Sequence, residues 1–208
     1  MGNSRLERET NLYRTALQQG GLFRYDQAAS HGFSRRAASY RVQQGEWERI
    51  SRGIYRLAFA PHSPDEDLIQ TALWAYNRWG PVAFSHETAL RLHELSDLLP
   101  DRHHLTVPER FDRKPPAGLT LHRANLSVGD LERRSGYYVT TPLRTLLDVA
   151  RSPRISPEHL EAAVSQAIAR GLVNKKGIDS SLPELSNAAR KRLNRALAAA
   201  ERDLAGSR

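Results

Sequence analysis

Glycine cuts the first sixty residues into pieces that suit only short elements joined by tight turns. Gly20-Gly21 stops a helical repeat running from Leu6 to Gln19, with Leu6, Leu12, Tyr13, Ala16 and Leu17 at helical spacing. Leu22-Phe23 reads as a short extended piece, Tyr25 to Ser30 as a second short helix, and His31-Gly32-Phe33 as a tight turn. Ser34 then stands where an N-cap is needed for a third helix, which runs to about Gln44 with Gly45 just past its end. From Trp47 to Leu57 the apolar residues Trp47, Ile50, Ile54, Tyr55 and Leu57 flank Ser51-Arg52-Gly53, which suits a β-hairpin. Helix, short helix, turn, capped helix and hairpin, in that order, make a winged helix-turn-helix, expected over residues 1–60.

Charge points to the same segment. The chain carries a formal +8 over 208 residues, and its basic residues are 27 Arg against 4 Lys. Residues 1–60 hold ten Arg and five Asp/Glu, whereas residues 61–180 balance fifteen basic against fifteen acidic side chains. A basic block beside a neutral middle suggests a local polyanion site. Arginine also forks onto phosphates and guanine edges in a way lysine cannot.

The third helix is the element best suited to such a site. At about 100° per residue, Ala38 and Val42 fall together towards the core. Arg35, Arg36, Ser39, Tyr40 and Gln43 then lie towards the opposite side, all of a kind that reaches base edges and phosphates. The Ser34 cap leaves amides near the helix start, where an anion is favoured. Arg52, at the hairpin tip, is placed for a minor-groove or phosphate contact, with Arg49 and Arg56 read as bracing the strands.

Beyond the linker Ala60-Pro61-His62-Ser63-Pro64 the pattern changes. Asp65 to Trp79 reads as a helix with Leu68, Ile69, Ala72, Leu73 and Tyr76 on one face. Val82-Ala83-Phe84 is extended, and Ser85 is placed to cap a helix through Leu95. Short β-type runs follow at Leu105-Thr106-Val107, Leu119-Thr120-Leu121 and Tyr137-Tyr138-Val139-Thr140. Thr141-Pro142 and Ser156-Pro157 each start a helix, the second ending near Arg170 and Gly171. From Pro183 onward, Leu185, Ala189, Leu193, Leu197, Ala200 and Leu204 form one helical stripe, with Arg190-Lys191-Arg192 on the polar side. The fold class expected is α+β. The winged helix-turn-helix over 1–60 is followed by a mixed α/β C-terminal domain over 65–180, with a small sheet and flanking helices, and by an amphipathic helix over 181–208.

Several chemistries find no support. With no cysteine, disulfides, thiolate metal sites and cysteine nucleophiles are excluded. His86-Glu87 followed by His93 resembles a metalloprotease helix only superficially, because that motif needs its second His four residues after the first. His103-His104 could join them only through tertiary folding, so no metal and no cofactor are expected. No nuclease carboxylate motif, Walker loop, G-x-S-x-G elbow or Gly-rich dinucleotide loop appears, so no enzyme is expected. The charged N-terminus is no signal peptide, and no apolar run is long enough to span a bilayer, so a cytoplasmic protein without a membrane partner is expected.

The stretch from Leu12 to Leu57, ending in WERISRGIYRL, resembles the N-terminal winged-helix domain of the AbiEi antitoxins of type IV toxin–antitoxin systems. FSHETALRLHEL (84–95), HHLTVPER (103–110), LTLHRANL (119–126) and YYVTTPLRTLLDVA (137–150) look like successive landmarks of that family's C-terminal domain. The resemblance implies repression of the protein's own operon, by binding double-stranded promoter DNA, and neutralisation of a nucleotidyltransferase-like toxin. It places DNA contact on Arg35, Arg36, Ser39, Tyr40, Gln43 and Arg52, and supplies no catalytic residues. The alternative is a stand-alone winged-helix regulator whose C-terminal domain senses a ligand or partner.

Overall fold

The computed structural model describes residues 5–97 and 100–206, with side chains through Arg202; Leu204, expected on the last stripe, has its side chain outside the described residues. The chain divides into two compact units. One runs to Tyr76 and takes in Arg133–Tyr137; the other comprises Asn77–Glu132 and the chain from Tyr138.

In the first unit the elements follow the glycine punctuation: α1 (Arg5–Leu17), β1 (Leu22–Arg24), α2 (Tyr25–Ser30), α3 (Arg35–Gln43), β2 (Trp47–Ser51), β3 (Ile54–Leu57) and α4 (Glu66–Ala75). The strands form an antiparallel sheet in the order β1-β3-β2. Leu12, Ala16, Phe23, Ala28, Phe33, Ala38, Trp47 and Leu57 make its core. Trp47 is the centre, with Phe23 edge-on at 4.8 Å and Phe33 at 5.3 Å between ring centroids, an arrangement that suits the ring quadrupoles.

Two expectations are corrected here. Leu6 and Leu17, counted on the apolar stripe of α1, are 72% and 53% exposed, because the core reaches only the Leu12–Ala16 side of the helix. The helix expected to Trp79 ends at Ala75, where Tyr76 turns to an extended backbone at φ −53° and ψ 132°. Helix α4 packs with β1 and β3, so this unit runs beyond the Pro-rich stretch at 60–64. Gly136 joins it from the later segment: at φ 88°, a Cβ there would come within 3.0–3.1 Å of Gln19 and Ile69.

The second unit holds β4 (Ala83–Phe84), α5 (His86–Leu92), β5 (His103–Val107), β6 (Leu119–Arg123), β7 (Leu131–Arg133, all but its last residue), β8 (Tyr138–Thr140), α6 (Pro142–Arg151), α7 (Pro157–Ala169), α8 (Lys175–Ser181) and α9 (Asn187–Gly206). Its sheet runs β6-β5-β4-β8-β7, with β5 parallel to β6 and antiparallel to β4. Thr141 and Ser156 cap α6 and α7 through their side chains, as their Thr-Pro and Ser-Pro sequences require. Leu185, Ala189, Leu193, Leu197 and Ala200 are all buried, within a core that also takes Leu146, Leu160, Val164 and Ile178.

Differences are local. Ser85 makes no side-chain cap, and α5 stops at Leu92. Strand β7 and helix α8 are additional to the expected elements, since LER has no alternation and KKGIDSS buries only Ile178. Arg192 is not a free member of a basic cluster: its guanidinium donates to the carbonyls of Ala150, Ser152 and Ile155.

Candidate nucleic-acid interface

Helix α3 begins where Ser34, in an extended conformation, accepts the Ala37 N–H on its Oγ at 3.1 Å. This satisfies one of the otherwise orphaned amides of the first turn. Ala38 is buried and anchors the helix against Trp47 and Phe33. Arg35, Arg36, Ser39, Tyr40 and Gln43 are all exposed, Tyr40 to 59%. At helical spacing they span an arc of about 140°. The Arg35 guanidinium lies 4.5 Å from the Tyr25 ring centroid, within cation–π range.

Arg41, from the same helix, has a different task. It is 9% exposed, donates to the carboxylates of Glu9 and Glu46, and sits over the Phe33 and Trp47 rings. Burial would raise the Glu9 carboxyl, but hydrogen bonds from Arg5 and Arg41 outweigh it and hold the group below the usual carboxylate range. One arginine of α3 thus ties the helix to α1 while Arg35 and Arg36 stay outside.

The hairpin divides its arginines similarly. Arg56 is buried and donates to Glu48 at 3.0 Å and to the Ala60 carbonyl at 2.6 Å, bracing the strands as expected. Arg49 and Arg52 are exposed; Arg52 stands at the turn before Gly53, whose φ of 79° suits glycine. The residues expected to touch DNA therefore come from two elements, five on one arc of α3 and one on the hairpin turn.

The second unit gathers a cluster that sequence spacing hid. The His86 and His122 rings stack at 3.5 Å with 14° between planes, and His104 Nδ1 lies 3.0 Å from His122 Nε2 and 2.9 Å from a Glu87 oxygen. Pairing of β5 with β6 sets Thr106 opposite His122 and so brings His122 to this place. Ser85 joins through His86 Nδ1 at 2.9 Å, and its hydroxyl accepts from Thr106 at 2.8 Å. Burial, reinforced by the nearby His122, pushes His86 down to about 3; burial and His104 push His122 down to about 4. Stacked rings do not aim their nitrogens at one point, and among the described residues no group of three or more His, Cys, Asp or Glu is arranged to hold a metal ion. His93 points elsewhere, with Nε2 2.7 Å from the Thr140 carbonyl.

Residues 11–58 match the family described as transcriptional regulator, AbiEi antitoxin, and residues 82–204 match the AbiEi antitoxin C-terminal domain. The chain belongs to the AbiEi antitoxin family. Its fold is similar to the crystal structure of the RV2827C protein from Mycobacterium tuberculosis, with 14% identity, a TM-score of 0.60, and coverage of 93% of this chain and 77% of that one. At that identity the likeness speaks for the fold alone. No curated protein sequence matches.

This AbiEi antitoxin thus carries a transcriptional-regulator segment on α1 to β3, the same segment that exposes the arginine arc of α3. The matched C-terminal domain spans the histidine cluster and the packed helices α6 to α9. The sequence reading leaves Arg41 off the outward-facing set but assigns it no partner. The signal was available: Arg41 sits three residues after the buried Ala38, and acidic residues lie within reach on either side. Among the described residues no helix is long and apolar enough to cross a membrane.

Proposed function

We propose that this antitoxin represses its own operon by docking α3 on double-stranded promoter DNA. Arg35 and Arg36 contact phosphates or guanine edges, Ser39, Tyr40 and Gln43 supply further donors, and Arg52 reaches a neighbouring phosphate or minor groove. The observation that carries this reading is the division of labour on α3: Arg41 is buried in two ion pairs, while the long donors of the other arc are exposed. Two adjacent solvent-facing arginines beside a capped N-terminus suit contact with a phosphate-lined groove.

The second unit neutralises a cognate nucleotidyltransferase-like toxin, and the whole acts in the cytoplasm as a regulator rather than a catalyst. Membership of the AbiEi antitoxin family supports this half. The test pairs a gel shift on the upstream promoter with toxin co-expression, using wild type and the Arg35→Ala, Arg36→Ala double variant. The double variant is expected to lose the shift and to keep protecting cells from the toxin. A retained shift would overturn the DNA assignment, and loss of protection with an intact fold would overturn the division of roles.

A further inference from the structure

Helix α1 carries a second surface that the core leaves uncovered. Leu6, Thr10, Tyr13 and Leu17 follow one another at spacings of four, three and four, the seam spacing of paired helices. Leu6 and Leu17 are 72% and 53% exposed, Thr10 is exposed and Tyr13 half-buried. Phe59, 63% exposed, meets Tyr13 edge-on at 5.4 Å and widens the apolar strip. Large apolar side chains grouped on the outer side of a helix mark a docking surface more often than singly scattered ones do.

The pattern of this seam also says what fits it. Reversed against itself, it sets Leu6 opposite Leu17 and Thr10 opposite Tyr13, then Tyr13 opposite Thr10 and Leu17 opposite Leu6. On the flanking position the same reversal sets Glu7 opposite Arg14, and Arg14 opposite Glu7, both exposed. Leucine meets leucine, the Thr10 hydroxyl residue meets Tyr13, and each charge meets its opposite, with no like-charge contact at either position. Such self-complementarity under a two-fold axis is the requirement for an isologous dimer. A seam shaped for an unrelated protein has no reason to match its own reverse.

We infer that α1 is the contact through which two copies of this chain pair, antiparallel, along Leu6, Tyr13 and Leu17. A helix of 13 residues is about 20 Å long. An interface of that extent belongs with small, transient contacts rather than permanent ones, so the pairing is weak and concentration-dependent. It holds whether or not α3 binds DNA, and it is tested without DNA.

The chain has no cysteine, so a single introduced thiol reports one position. Leu6→Cys and Leu17→Cys variants are prepared separately, checked for fold by circular dichroism, and oxidised mildly at high protein concentration, alone and as an equal mixture. Residues 6 and 17 lie about 16 Å apart along the helix, too far for a thiol to meet its own copy across an antiparallel seam. The mixture is expected to form a disulfide-linked dimer several-fold faster than either variant alone. Adding Glu7→Arg to both should slow the reaction at low salt, and Glu7→Arg with Arg14→Glu should restore it. Equal cross-linking of each variant alone and in mixture would overturn the antiparallel seam. Absence of a covalent dimer from the folded mixture would overturn self-association through α1.

Discussion

Arg41 of α3 donates its guanidinium to Glu9 of α1, so the helix proposed to meet DNA is tied to the first helix of its own unit by an ion pair that solvent scarcely reaches. Glu46, just past α3, takes the same guanidinium from the other side. The arrangement fixes where the outer arc of α3 points, since the helix is pinned both by Ala38 in the core and by Arg41 at its flank.

Replacing Arg41 with Ala should therefore destabilise the first unit by about 2–3 kcal/mol, because two carboxylates lose their charged donor in a partly buried setting. Replacing the exposed Arg36 with Ala should change stability by less than about 0.5 kcal/mol. Urea unfolding of the two variants checks this contrast. Equal effects would mean that the ion pairs do not hold the helix.

Arg192 offers a parallel contrast in the second unit. It donates to three backbone carbonyls at the end of α6 and just beyond, whereas its neighbour Lys191 is exposed. Arg192→Ala is expected to cost about 2 kcal/mol, since removing each charged hydrogen bond strands a carbonyl. Lys191→Ala should be close to neutral. Thermal melts of the two variants give the comparison.

The histidine cluster predicts an acid-sensitive second unit. His86 and His122 are held neutral when folded, down to about 3 and about 4, against an ordinary value of 6.5. Between those values and 6.5 the unfolded chain binds more protons, so stability rises with pH there. The contribution is full above 6.5 and is lost as pH falls towards 4. For the well-buried His86 the loss from pH 7 to pH 5 is about 2 kcal/mol. Glu87 and His104 face this pair, with Arg144 and Arg154 acting from further elements. Urea unfolding at pH 5, 6 and 7 should show the slope, and His122→Gln should flatten it. A pH-independent midpoint would contradict the buried neutral cluster.

Where local chemistry decides an element, the sequence made it legible. Ser34, Thr141 and Ser156 each accept the cap bond their positions imply, and the glycines at 21, 32, 45 and 53 take the positive φ that turns demand. What stayed hidden depends on interactions between distant residues. Leu6 and Leu17 share one side of α1 and Leu12 lies on another, and only the tertiary core decides which side goes in. His104 and His122 meet through the β5–β6 pairing and His86 joins them from the start of α5, which no local pattern announces. Helical spacing keeps Arg41 off the outer arc of α3, and only the fold shows that it reaches Glu9 and Glu46.

The most direct test of the central claim is the salt dependence of binding to the upstream promoter duplex. Wild type and the Arg35→Ala, Arg36→Ala variant are compared at equal folded concentration. Wild-type affinity should fall linearly on a log–log plot against salt. The variant should bind more weakly, with a slope shallower by about one for each phosphate it no longer neutralises. A folded variant with unchanged affinity and unchanged slope would contradict the assignment of DNA binding to the outer arc of α3.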